Sequence, residues 1–205
     1  MIEGGADLST TMPDADHSRQ ELHFRRIDMR GYRRSDGLFE VEGRVTDLKP
    51  RRFVPSMSAR EVPAGEPLHD MGVRLVYDED MRVREVHTYT LNSPYDMCPE
   101  GGRILQRMVG VHMTKGWGRE VRSRLSGAHS CIHLVELLLP MATTAFQSLA
   151  EVRQTRALKL DADGRPVKID SCYAFRAEGE LVRALWPQHQ RSAERPPGSD
   201  AEESR

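Results

Sequence analysis

The chain has few cysteines, no long apolar run and no excess of either charge, and each shortage closes off a class of protein. Its three cysteines are an odd number in 205 residues. They do not suggest a disulfide framework, and a reducing cytoplasm is the expected setting. They are single cysteines rather than Cys-x-x-Cys arms, so their spacing matches no zinc finger. No stretch approaches the roughly eighteen apolar residues of a membrane span, and the longest apolar run surrounds Leu137–Ala142. The first residues are polar and acidic, without the apolar segment of a secretory signal. Thirty Lys and Arg stand against 31 Asp and Glu, for a formal net charge of -1. That balance argues against nonspecific nucleic-acid binding, which runs on excess positive charge.

Residues 1–20 and 188–205 are rich in Gly, Asp, Ser, Pro and charge and read as disordered ends. Residues 21–187 are expected to form one domain. Its first half alternates apolar and polar residues with the period of half-buried strands, over Leu22–Arg30 and Leu38–Val45 around the turn Ser35-Asp36-Gly37. A loop from Pro50 to Pro67 leads to a second hairpin, Leu68–Tyr77 and Met81–Tyr89, about Asp78-Glu79-Asp80. Helical spacing takes over from Glu100 to Val111 and from Arg119 to Leu125. Ser130 is placed to cap a helix from Cys131 that Pro140 must break, kink or restart. A last strand pair is expected from Arg156–Leu160 and Val167–Phe175, with Leu181–Trp186 following. Strands, then helices, then strands predict an α+β fold, an antiparallel sheet of hairpins with helices packed on one face.

Two cysteines carry the chemical interest. Cys131 lies at the expected first turn of a helix, with His129 and His133 two residues to either side. The helix dipole and unpaired amides there favour a thiolate, and the imidazoles could share a metal with it. Alternatively, Cys131 is a small apolar filler and His133 lies on the wet face. Cys98 sits in a loop stiffened by Pro94 and Pro99, two residues after Asp96, and reads either as a ligand arm or as a loop cysteine with no partner. A site of Cys98, Cys131 and His133 needs the loop sulfur and the helix-start sulfur to converge, and zinc or iron is the expected ion. His69, with Asp70 beside it, is a further ligand, a general base or a hydrogen-bonded strand-end histidine. Glu136, one helical turn after His133, either orients that imidazole or is a solvated glutamate. Cys172 falls in a strand pattern and is expected as a packed thiol. Arg25, Arg26, Arg30, Arg33 and Arg34 form a basic cluster that reads either as a place for an anionic ligand or, the favoured reading, as a charged strand face paired with Glu40 and Glu42 across the hairpin.

Several segments together resemble a known family. They are Gly31–Gly43, Leu68-His69-Asp70-Met71, Pro94-Tyr95-Asp96-Met97-Cys98, Gly116-Trp117, Ser130–Leu134, and Pro140 with Thr143–Gln147. This set resembles the bacterial domain of unknown function 2889 family, over roughly residues 21–187, and the family implies no established activity. A second resemblance is to the IscU/NifU-type iron–sulfur scaffold fold, in which a hairpin leads to a loop cysteine and a later helix starts at a His-Cys pair. Here Val73–Tyr89, Cys98 and Cys131 stand in those places, but Asp96 precedes its cysteine and the scaffold's middle cysteine is missing.

Three functions follow as expectations. One is a metal-dependent lyase or hydrolase acting on a small organic molecule. The second is a noncatalytic carrier of iron–sulfur, metal or persulfide. The third is an interaction domain without a metal. Neither a nucleic acid nor a membrane is expected as partner.

Overall fold

The computed structural model describes residues 18–58 and 60–191. Nearly all of the expected disordered lead, and the tail from residue 192 on, lie outside the described residues. Those described fall into two compact units, residues 18–151 and 152–191.

The first unit is built on four strands, β1 (Phe24–Arg33), β2 (Phe39–Leu48), β3 (Pro67–Tyr77) and β4 (Val83–Asn92), antiparallel throughout and in the sheet order β1-β2-β3-β4. Both expected hairpins are present. Between β1 and β2 the chain reverses at Gly37, which takes a φ of 85°, while the Asp36 carboxylate accepts from the Leu38 amide. Along β2 the residues Phe39, Val41, Gly43, Val45 and Asp47 are buried and point to one face.

Helix α1 (Trp117–Leu125) and the 17-residue α2 (Ile132–Ser148) follow, and α2 lies on that face across β1, β2 and β3. Leu134, Leu137, Leu138, Met141 and Ala145 form the inner stripe of α2, at helical spacing, against Val41, Val45, Met71, Val73 and Leu75. Two glycines set how closely α2 sits. A Cβ on Gly43 would stand 3.1 Å from Met141 Cγ, and one on Gly31 would overlap Ser148. The Trp117 indole N–H donates to the Leu138 carbonyl at 2.8 Å and the Tyr77 hydroxyl to the Ala145 carbonyl at 3.3 Å, tying α2 to α1 and to β3. The architecture is α+β, as expected.

Several local expectations are corrected. The segment expected as a helix over Glu100–Val111 is a 3₁₀ stretch, Cys98–Met108, where Pro99 lacks an N–H and Gly101-Gly102 weakens helical preference. Ser130 does not cap α2. Its hydroxyl donates to the carbonyl of Leu125, the last residue of α1, and Cys131 takes the N-cap position without a side-chain cap bond. Pro140 does not interrupt α2. Its own carbonyl instead accepts a bond from the Thr144 hydroxyl at 3.1 Å.

Among its described residues the second unit holds no strand pair. Leu160 and Pro166 form one isolated bridge about the turn at Asp161, and the chain then turns through a 3₁₀ segment, Tyr173–Phe175, to a short helix, Glu180–Leu185. A polar hub displaces the expected ladder. Asp170 takes a left-handed φ of 61°, and its carboxylate accepts from Arg165, from Arg191 and from the Ala177 amide. Cys172 is consequently exposed rather than packed in a strand. The small core of this unit is Ile169, Ala177 and Val182, with Trp186 against it.

Candidate functional site

The apolar stripe of β2 ends in a carboxylate. Asp47 continues the buried phase of Val41 and Val45 and is 1% exposed. Antiparallel register places Arg25 of β1 on one side of it and His69 of β3 on the other, so three polar side chains form a row across the sheet. The first turn of α2 covers that row and adds His133, with Glu136 one turn further on.

A buried carboxylate needs partners, and Asp47 has several. Arg25 donates from Nε to Oδ1 at 2.7 Å and from Nη2 to Oδ2 at 2.9 Å, the two-pronged arrangement that guanidinium and carboxylate favour. The His69 ring nitrogen Nδ1 is 3.0 Å from Oδ2, and His23 Nε2 is 3.2 Å from Oδ1. His133 Nε2 stands 3.9 Å from Oδ2. The His69 and His133 rings pack at a tilt of 34° with centroids 4.0 Å apart. On its far side, His133 Nδ1 lies 3.9 Å from Cys131 Sγ, which in turn is 3.7 Å from Met71 Sδ. At the rim, Arg25 Nη1 donates to the exposed Glu136 at 3.0 Å.

This environment sets the charge states. Burial pushes the Asp47 carboxyl up, but the Arg25 hydrogen bonds and charge more than offset it and hold the group below the usual carboxylate range. Burial lowers both His69 and His133, with the neighbouring ring adding to the effect on His69 and Arg25 adding to that on His133. The row therefore offers an ionised carboxylate and two neutral imidazoles, the protonation states that metal ligands need.

Two of the three spacings also suit a cation. Ligand atoms about 2.1 Å from a common ion stand no more than about 4.2 Å apart. Asp47 Oδ2 meets that limit with His69 Nδ1 at 3.0 Å and with His133 Nε2 at 3.9 Å. Among the described residues, Asp47, His69 and His133 are the set whose ligand atoms all fall within 4.8 Å of one another.

The residues singled out in the sequence are distributed as follows. His69 and His133 meet at the site, and Glu136 stands at its rim through Arg25. Cys131 is beside His133 but outside the three-ligand set, and so is Cys98. The Cys98 segment reaches Cys131 through backbone rather than sulfur, the Cys131 amide donating to the Gly101 carbonyl at 3.0 Å. Asp70 follows His69 in β3 and so points to the opposite face of the sheet, where Arg44 grips both of its oxygens at 2.7 and 2.6 Å. The arginines of β1 divide similarly. Arg34 reaches Asp36 and Glu40, Arg26 pairs with Asp28, and Arg25 turns inward to Asp47 rather than to Glu40 or Glu42.

Asp47 and His23 are not singled out by the sequence, and Arg25 stands out there only as one of a basic cluster, without its link to Asp47. The signal for Asp47 was the phase of its strand, because an acid in register with Val41, Gly43 and Val45 faces the core and must be paired there.

Among the described residues no helix is long and apolar enough to cross a membrane. Neither the curated proteins nor the solved structures hold a match to this chain, and the scaffold resemblance gains no support from them. A family profile described as Protein of unknown function (DUF2889) matches residues 23–147. That span runs from His23 through β1–β4 and α1 nearly to the end of α2, and takes in every residue of the site just described. The chain belongs to the DUF2889 family.

Proposed function

We propose that the protein is a metal-dependent lyase or hydrolase, its ion held by Asp47, His69 and His133. The observation that carries this reading is the convergence of one carboxylate oxygen and two imidazole nitrogens from three separate elements within 4.8 Å. Two nitrogens and one oxygen suit zinc or iron(II). Three protein ligands, rather than four, leave a coordination position for water or substrate. The ion would supply Lewis acidity toward a carbonyl or a bound water of a small organic molecule.

The chain's own residues prepare that position. Arg25 keeps Asp47 ionised and fixes its plane through two hydrogen bonds. Cys131 faces the Nδ1 side of His133, which leaves Nε2 turned toward Asp47. Met71 closes the floor behind the sulfur. Elemental analysis of protein purified without chelator tests the reading. About one zinc or iron per chain is expected, and a wild-type protein that neither carries nor takes up either ion contradicts it.

One further observation favours a second reading. Cys131 Sγ, His133 and Asp47 form a thiol–imidazole–carboxylate series, with 3.9 Å at each step. In a metal-free protein that series would serve a thiol nucleophile with His133 as its base. Inactivation by iodoacetamide that is unaffected by prior removal of metal would favour it over the metal reading.

A further inference from the structure

We propose that the substrate of this site is a carboxylate, received by Arg25 in exchange for Glu136. The inference rests on the metal reading for the ion but on Arg25 for the recognition. Arg25 commits Nε and Nη2 to the buried Asp47 and only Nη1 to Glu136. The two partners differ sharply: the Asp47 side chain is 1% exposed and that of Glu136 is 49% exposed. The first is fixed by the fold, whereas the second is a surface ion pair of the kind worth little and easily replaced. A guanidinium has five N–H donors, and three are used here, so two have no protein acceptor among the described residues. The Arg25 side chain is itself 35% exposed, at the mouth of the row.

Charge points the same way. Asp47 and Glu136 carry two negative charges against one on Arg25. The Asp47 and Arg25 charges cancel, so a divalent ion beside them leaves two positive charges, of which Glu136 or an anionic ligand in its place offsets one and a neutral ligand none. Glu136 already occupies the place of such a ligand, with its Oε2 at 3.0 Å from Nη1. A substrate carboxylate seated there would lie across the guanidinium and would be oriented by the fork geometry that guanidinium and carboxylate share.

The test uses the full chain loaded with cobalt(II), whose visible spectrum reports changes at the ion. Acetate and benzoate are titrated against acetamide and benzamide as neutral matches. The expected result is at least tenfold tighter binding of each acid than of its amide. Arg25→Gln should remove that preference, and Arg25→Lys should retain part of it. Glu136→Gln, which removes the competing carboxylate, should tighten benzoate several-fold. Equal binding of acid and amide, or an acid preference that survives Arg25→Gln, overturns the proposal even though cobalt is bound. Failure of the metal reading shows separately, as no cobalt uptake at all. In that case calorimetry of benzoate with the metal-free chain decides, since binding lost on Arg25→Gln supports the receptor and absence of binding overturns it.

Discussion

Asp47 and His69 are direct register partners on neighbouring strands, and their side chains meet at 3.0 Å, Nδ1 to Oδ2, at the end of an otherwise apolar stripe. A sheet row that elsewhere would hold two aliphatic side chains holds an acid and an imidazole instead. Arg25 completes the row from the other side, and α2 covers it with His133.

Acid should destabilise the metal-free protein in two stages. His69 and His133 lie below their ordinary values because they are buried, and Asp47 lies below its own because the hydrogen bonds and charge of Arg25, together with His69 and His23, outweigh its burial. In each case the unfolded chain binds protons at a pH where the folded chain does not. Stability is therefore complete above the unfolded pKa and falls as the pH drops through it toward the folded one. The first decline is expected below about pH 6.5 and the second below about pH 4. Thermal melting in chelator from pH 8 to pH 3.5 checks this. A melting temperature that holds level from pH 8 to pH 5 would contradict the assignment of the histidines, and the double variant His69→Ala/His133→Ala should lose the upper stage.

The two cysteines near α2 should behave differently. Cys98 lies outside the three-ligand set, so Cys98→Ala should leave zinc affinity within about twofold. Cys131 contacts the ligand His133 from behind, and Cys131→Ala should weaken zinc by about 10-fold, the lower end of what loss of a supporting contact costs. Competition with a coloured chelator measures both. Equal, large losses would restore the two-sulfur site expected from the sequence.

Asp70 should matter for stability and not for metal. Its carboxylate is buried against Arg44 on the far face of the sheet. Because the Arg44 side chain is 47% exposed, Asp70→Asn should cost about 1–2 kcal/mol, less than a fully buried pair would. Urea denaturation reads the loss, and zinc affinity should not change. A variant that folds normally but no longer binds zinc would place Asp70 at the site after all.

Much of the fold was legible because its signals are local. The alternation in β1–β4, the turn at Asp36-Gly37 and the inner stripe of α2 each fit within a dozen residues. The second unit misled for a physical reason. Val167–Phe175 alternates like a strand, but Asp170 at positive φ gathers two arginines and an amide and turns the chain instead. The site was half legible. His69 and His133 stood out as imidazoles near element starts, and Glu136 by its helical spacing from His133. Asp47 did not, because its meaning lies in strand phase and in partners 22 residues away on either side, Arg25 and His69. The two sulfurs drew attention as chemically rare groups, yet the fold joins their segments through the Gly101 carbonyl and the Cys131 amide.

Packing of α2 on the sheet positions His133, so a strain far from the site should be felt there. A methyl on Gly31 would collide with Ser148 near the C-terminal end of α2. Gly31→Ala should destabilise by about 1–3 kcal/mol, the usual range for overpacking, and should weaken zinc binding without touching a ligand. Denaturation and zinc titration of the variant check the two effects. Unchanged values for both would mean that α2 is free to shift.

The central claim is that Asp47, His69 and His133 together hold one metal ion. Zinc affinity of the wild-type chain and of Asp47→Ala, His69→Ala and His133→Ala, each confirmed as folded by circular dichroism, tests it most directly. The account predicts one tight site in the wild type and a loss of at least 100-fold in every variant, as removal of a ligand from a three-ligand set requires. Zinc bound as tightly by the folded variants as by the wild type would contradict it.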